Sequence, residues 1–328
     1  MSRTGTDEEL SRAVPGRSAG FAVVVPVGPG EREVERVRDL VESLETFEGG
    51  NYHLVLVDDQ PGPARFNRAV PDTVRDRFTE IKNPRNGRGS GWAAGCAVAV
   101  LAGLHELTKR ALPFEFAVKL DTDALVIRPF SQALSRQFAS HPEVGMIGTI
   151  RDPSLPERGD ETVRPLGRAL DKLLKQFTVW RATKCGGVTV QIAFWGRFRL
   201  IRDTIRHAFI NGFRVGEHCY GGGYALSHAC VRALHARSLL ARPCVWLPTP
   251  LVEDMIVSMC VKSVDLALQD GSGREEPFAI RFRGLPDRPE NLLARGHSII
   301  HSVKDFGDLK EADVRAYFRR RRHREVAV

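Results

Sequence analysis

Two carboxylates, Asp121 and Asp123, interrupt an otherwise apolar stretch that runs from Ala117-Val118 through Leu120 and resumes at Ala124-Leu125-Val126. The pattern predicts a buried strand that surfaces at its tip and returns to the core. Alternate residues of an extended strand share a face, so both carboxylates can lie on one side of the tip. Two hard oxygen donors on one side suit a divalent cation, and the cation suits a diphosphate. A solvated turn explains Asp-x-Asp equally well when it stands alone. A second acidic pair, Glu253-Asp254, opens the apolar stretch Met255 to Cys260, where the helix dipole also favours acids. Asp58-Asp59 ends the apolar run Tyr52 to Val57. Carboxylates at the C-terminal end of such a strand lie where open sheets bind ligands, or are turn residues.

These groups need a frame. Phe21 to Val27 reads as a strand covered on both faces, broken by Gly28-Pro29-Gly30. Residues Glu31 to Phe47 follow with Val34, Val37, Leu40, Val41 and Leu44 on one helical stripe. With Tyr52 to Val57 this makes a strand, helix, strand unit with a right-handed crossover. A third strand is expected at Phe78 to Ile81, then a loop rich in glycine and arginine (residues 83–91), then a helix from about Trp92 to Lys109. That loop could cradle phosphates with backbone N–H groups, helped by Arg85 or Arg88. Its spacings match neither a dinucleotide fingerprint nor a Walker loop. Beyond the acidic tip, a helix is expected to start at Arg128-Pro129-Phe130 and a strand at Val144 to Thr149. A loop over 151–168, a helix from Leu170 to Trp180, a strand from Gly187 to Phe194 and a helix from Phe198 to Ile210 follow. Gly221-Gly222-Gly223 implies close approach of backbone to protein or ligand. The helix opened by Glu253 is expected to end at Gly271-Ser272-Gly273, followed by strands at Phe278 to Phe282 and Ser298 to His301 and a helix from Asp308 to Arg320.

The 328 residues can bury a large core, and no internal repeat or long linker divides them. No stretch of eighteen apolar residues occurs, and the acidic N-terminus lacks a signal-peptide apolar region. Six scattered cysteines without C-x-x-C spacing read as reduced core residues. The expectation is a cytoplasmic chain, compatible with a peripheral position at the inner membrane surface. The net charge of +8 is concentrated late, in Arg315 and the run Arg319 to Arg324. Without a nucleic-acid motif this run reads foremost as a solvated helix end.

Taken in order, the first strand with Pro26, the strand ending in Asp58-Asp59, the glycine-rich loop, Asp121-x-Asp123, Gly221-Gly222-Gly223-Tyr224, Glu253-Asp254 and late His301 resemble a metal-dependent inverting glycosyltransferase of the GT-A fold. The glycine-tyrosine segment with the acidic pair is similar to the β-1,3-glycosyltransferase (fringe-like) enzymes, and the first half to the broad bacterial family 2 type. The resemblance implies a Rossmann-like, mostly parallel α/β sheet flanked by helices in a single continuous domain. It divides the chain into a loose tail (1–18), the catalytic domain (19–310, with a nucleotide-binding half 19–127 and an acceptor-binding half 128–310) and a basic C-terminal helix (311–328). It further implies that Asp123 and His301 bind Mn²⁺ or Mg²⁺, with Asp121 on the ribose or a metal-bound water. Pro26, Val27 and Asp58 or Asp59 would hold the nucleoside. Gly222, Gly223 and Tyr224 would line the sugar, and Lys304 or Arg88 would meet the diphosphate. Asp254 would be the general base, with Glu253 next in line.

The implied reaction moves a hexosyl group from a nucleoside-diphosphate sugar, UDP favoured, to a hydroxyl on a carbohydrate, lipid-linked or small-molecule acceptor. The same carboxylates could serve a nucleotidyltransferase that makes such donors, although its glycine-rich signature near the first strand is missing. A non-catalytic carbohydrate-binding protein with a degenerate GT-A fold is the other alternative. Sugar, acceptor and oligomeric state are not legible, a homodimer included.

Overall fold

The computed structural model describes residues 20–151, 188–214, 216–249 and 251–326. Four strands, β1 (Phe21–Val27), β2 (Tyr52–Asp58), β3 (Phe78–Lys82) and β4 (Phe116–Leu120), run parallel in the order β3-β2-β1-β4. The sheet continues with β7 (His218–Ser227), antiparallel to β4, then β6 (Val144–Arg151) and β8 (Ala267–Asp270). A separate three-stranded sheet joins β5 (Leu125–Val126), β10 (Ile299–His301) and β9 (Phe278–Ile280). This is the Rossmann-like GT-A arrangement expected from the resemblance: a mostly parallel sheet flanked by helices in one continuous domain.

Both faces of the large sheet are covered, which is why its strands read as unbroken apolar runs. Val23, Val25, Leu54 and Leu56 pack with Val37, Leu40, Val41 and Leu44 of α1 (Glu31–Glu48). Ala22, Val24, Val55 and Val57 face the other way, toward Ala97, Val100, Leu101 and Leu104 of α2 (Ala94–Lys109). After α3 (Ser131–Ser140), the same side takes α4 (Val188–Ile210), α5 (His228–Ala236) and α6 (Glu253–Ser263), through Ile201, Ile205, Val231, Met255 and Met259. A third, smaller core lies under α7 (Pro289–Ala294) and α8 (Glu311–Val326), where Leu292, Val314 and Phe318 meet Leu125, Ile127 and Ile300.

Several local expectations change. Residues Val188 to Phe194 open the long helix α4 instead of forming a strand. Their apolar, β-branched run fits a buried helix turn as readily as a strand, and periodicity does not separate the two. The helix begun by Glu253 stops at Ser263, and β8 intervenes before Gly271. The helix expected at Arg128 begins at Ser131. The loop expected over 151–168 lies almost wholly outside the described residues, and the helix at Leu170 to Trp180 wholly so. Among the described residues five cysteines are unpaired, as expected, and Cys185 falls outside them. No described helix is long and apolar enough to cross a membrane.

The arginines of the last helix are not all solvated. Arg315, Arg319 and Arg322 share one helix face and meet Asp39 of α1, while Arg36 and Arg315 grip Glu311. Asp39, Glu311, Arg315 and Arg322 are all buried. An ion network thus fastens α8 to α1 beside the small sheet.

Candidate functional site

Strand register brings the candidate ligands together. In the β5–β10 pair, Ile299 faces Val126 and Ile300 faces Leu125. Continued outward, that antiparallel register sets His301 opposite Ala124 and Ser302 opposite Asp123. The backbone follows it: the Val303 N–H donates to the Asp123 carbonyl at 3.0 Å. In the β4–β7 pair Leu120 faces Gly223, so Asp121 comes beside Gly222, and its N–H donates to the Gly222 carbonyl at 3.1 Å. The segment between β4 and β5 is a tight turn closed by the Ala124 N–H on the Asp121 carbonyl at 3.0 Å. The extended tip expected from alternation is therefore a turn, but it aims both carboxylates the same way.

Asp121, Asp123 and His301 offer ligand atoms that lie within 4.8 Å of one another. His301 Nε2 is 3.3 Å from Asp123 Oδ2 and 3.5 Å from Asp121 Oδ2. Its Nδ1 lies 2.9 Å from the Arg281 carbonyl, which can only accept, so Nδ1 carries a proton and Nε2 is the nitrogen turned to the carboxylates. Burial lowers the imidazole pKa, Asp123 and Asp121 outweigh it and raise it, and a bound cation would take the place of the Nε2 proton. Two carboxylates and one oriented imidazole make a donor set that fits Mn²⁺ well and Mg²⁺ acceptably. Asp123 is buried, yet its carboxyl is held well below the usual range: burial pushes it up, and His301, Lys304 and the Ser302 hydroxyl together pull it down further. Lys304 Nζ stands 3.2 Å from Asp123 Oδ2 on a half-exposed side chain.

The glycines make this close approach possible. A Cβ at Gly222 would sit inside the imidazole of His301, and one at Gly221 would strike the carboxylate of Glu253. Close backbone approach was expected here; its partners are protein side chains of the site itself.

Behind the ligands lies a group absent from the sequence expectations. Lys119, fully buried on β4, shares the face of Asp121 two residues on. Its ammonium donates to Asp121 Oδ1 at 2.7 Å and to the Gly221 carbonyl, and lies 3.5 Å from Glu253 Oε2. Burial alone would strip the proton, but Asp121 and Glu253 outweigh it and raise the pKa. The signal was present in the sequence: a lysine between apolar residues of a buried strand, at the spacing that shares a face with Asp121.

Glu253 and Tyr224 take different places from those expected. Glu253 is buried, with Oε1 accepting from the Tyr224 hydroxyl and Oε2 facing Lys119. Burial, aided by Asp254 and Asp121 and opposed by Lys119, pushes its carboxyl up to about 7. Tyr224 is fully buried, so it braces Glu253 from beneath and does not line a sugar. Asp254 at the start of α6 is more open: Oδ1 accepts from the Met255 N–H at 2.9 Å, and Oδ2 lies 3.5 Å from Nε2 of buried His218.

The nucleoside candidates sit along the same sheet edge without touching the acidic cluster. Asp58 ends β2, two strands from β4, hence roughly 10 Å away at ordinary strand spacing. Its carboxylate is closed off, paired with Arg65 Nη2 at 2.8 Å and Lys82 Nζ at 2.6 Å. Asp59 is clasped by Arg85. Arg88 donates to the carbonyls of Arg85 and Pro84, so it folds onto its own loop. These ion pairs shape the loops that follow β2 and β3; neither Asp is open to a ribose. Pro26 pairs with Val57 in the parallel register, half-buried, and Val27 with Asp58, buried.

No protein-family model and no curated protein sequence matches the chain. Several solved structures are similar to it at low identity. The apo structure of the bifunctional glycosyltransferase WbbM aligns with 93% of this chain and 50% of its own length, at 11% identity and a TM-score of 0.49. The chain thus spans about half of that protein. The galactosyltransferase LgtC, in complex with donor and acceptor sugar analogs, aligns over 92% of this chain and 95% of its own at 10% identity and a TM-score of 0.45. The core-mannan synthase CmsA/Ktr4 from Aspergillus fumigatus, in an Mn/GDP form, aligns over 78% and 72% at 12% identity and a TM-score of 0.41. These stand as likenesses, and the functional reading rests on the chain's own residues.

Proposed function

We propose that the chain is a GT-A glycosyltransferase that moves a sugar from a nucleoside-diphosphate donor, UDP favoured, to an acceptor hydroxyl with inversion. The observation that carries the proposal is the Asp121–Asp123–His301 cluster at the C-terminal edge of a mostly parallel sheet, where α/β proteins bind ligands. Asp123 and His301 would hold the divalent cation, with Asp121 on it or on a bound water. A cation there neutralises the charge that develops on the leaving diphosphate. Lys304, already beside Asp123, supplies a further positive charge on the open side of the cluster. Gly222 leaves room on β7 for the close approach of His301, Gly223 borders the sugar, and Pro26 and Val27 border the nucleoside.

Asp254 takes the proton of the attacking hydroxyl. It is the better of the acidic pair because Glu253 is buried and both of its oxygens are engaged. Direct displacement of the diphosphate then needs no covalent intermediate on the enzyme.

The test is titration with Mn²⁺, alone and with UDP-, dTDP- and GDP-sugars, on the wild type and on Asp123→Ala. The wild type binds the metal and turns over one donor class; the variant loses both. Equal turnover by both proteins after all divalent ions are stripped would falsify the reading.

A further inference from the structure

Four large apolar side chains are exposed among the described residues: Trp92, Ile210, Phe282 and Phe306. Two of them lie on adjoining loops. Phe282 follows β9 and Phe306 follows β10, and the two loops pack on each other: the Ser302 N–H donates to the Gly284 carbonyl at 3.2 Å, and a Cβ at Gly284 would strike the Phe306 side chain. Gly284 has a φ of +69°, so the close approach and the backbone both require glycine. Each ring carries a cation. The Arg281 guanidinium lies 5.8 Å from the Phe306 centroid and that of Arg283 lies 5.4 Å from Phe282. Phe282 is 64% exposed and Phe306 45%, and Arg281, Arg283, Lys304 and Lys310 are exposed around them. Of the nearby acids, Asp305 accepts from the N–H of Glu311 at 2.7 Å and keeps its charge, so Asp305 and Asp308 together oppose the four cations.

The geometry points to this pair of loops as a docking surface for an anionic lipid bilayer. Phenyl rings ringed by arginines are what a peripheral contact with an anionic membrane needs: rings enter the acyl boundary while guanidinium groups meet lipid phosphates. The whole-chain charge of +8 favours an anionic partner. Contact here also has a consequence for the site. The Arg281 carbonyl accepts a hydrogen bond from His301 Nδ1–H, so the loop that docks is the loop that orients a cluster ligand. The metal cluster then lies at the membrane face, in reach of an acceptor carried by a lipid. This goes beyond the proposed function and stands on separate observations.

The experiment is co-sedimentation of the full chain with vesicles of phosphatidylcholine containing phosphatidylglycerol, against phosphatidylcholine alone, with circular dichroism confirming that each variant is folded. The wild type pellets with the anionic vesicles and not the neutral ones. The double variant Arg283→Gln/Lys310→Gln, at two exposed residues outside the metal cluster, partitions roughly 25-fold more weakly, about fivefold per charge. Phe282→Ser/Phe306→Ser also loses binding, while Mn²⁺ affinity stays at the wild-type value in both. The proposal is overturned if the wild type ignores anionic vesicles, if both loop variants bind as it does, or if only Arg320→Gln/Arg321→Gln abolishes binding. Metal binding is read in the same samples, so failure of the docking surface and failure of the proposed catalytic site are separate results.

Discussion

The acidic pair at the start of α6 shows how two adjacent carboxylates come to different ends. Glu253 points into the sheet and is taken up by Tyr224 and Lys119, whereas Asp254 keeps one oxygen toward solvent and His218. Asp254→Asn is therefore expected to lower kcat by about 10²- to 10⁴-fold, the ordinary worth of a positioned base, with Mn²⁺ and nucleotide affinity unchanged. Steady-state kinetics beside calorimetric titration of the same variant checks both halves. Lys119 makes a different prediction. Replacing it with methionine strands Glu253 and the Gly221 carbonyl without their cation, at a cost of about 3–5 kcal/mol in unfolding free energy. Urea denaturation measures it, and adding Glu253→Gln in the same chain should recover much of the loss. If the double variant is no more stable than the single one, Lys119 is not held by that carboxylate.

At the scale of elements, the site depends on the small sheet and on the helix that covers it. The buried pairing of α8 with α1 divides the C-terminal arginines into two kinds. Arg315→Ala should cost about 3–5 kcal/mol because Asp39 and Glu311 lose a buried partner. Arg320→Ala, on the exposed side, should change stability by no more than about 0.5 kcal/mol. The same network sets an acid limit. Burial pushes the Glu311 carboxyl up, but Arg36 and Arg315 outweigh it and bring it to about 2, below the ordinary value of 4.5. Asp39 is lowered in the same way by Arg315 and Arg322 against its burial. The folded state binds these protons less readily than the unfolded chain, so the stabilisation is complete above about 4.5 and drains away as pH falls toward 2. Hydrogen exchange of α8 amides across that interval should rise before exchange in the large sheet does.

For the whole molecule, binding of a cation at the cluster would be linked to folding. The cluster draws Asp121 and Asp123 from the β4–β5 turn and His301 from β10, so a cation held there ties the large sheet to the small one. At a Mn²⁺ concentration of 100 times Kd the folded state should gain about 2.7 kcal/mol, seen as a higher Tm. Asp123→Ala should show no such gain. A Tm of the wild type that ignores Mn²⁺ would remove the cation from the native structure.

How much of this was legible in the chain depends on the range of the interaction. Covered strands such as Val23-Val24-Val25 and amphipathic α1 declare themselves locally, because burial on two faces or one stripe leaves its mark on consecutive residues. Asp121, Asp123, Glu253-Asp254 and the glycine triplet were visible as residue types at a spacing. The strand expected at Val188 and the helix expected from Phe198 are one helix of 23 residues, a continuity that an eight-residue apolar run does not announce. What the sequence could not contain is pairing across the chain. That Asp58 is closed off by Arg65 and Lys82, that Tyr224 braces Glu253 and faces no ligand, and that Lys119 joins the metal side to the base side are contacts between segments up to 134 residues apart. The registers of β2 with β3 and of β4 with β7, and the packing of α6 on β7, bring such partners within a few ångströms, and a carboxylate's role is decided by which charges stand beside it after burial and not by its neighbours along the chain.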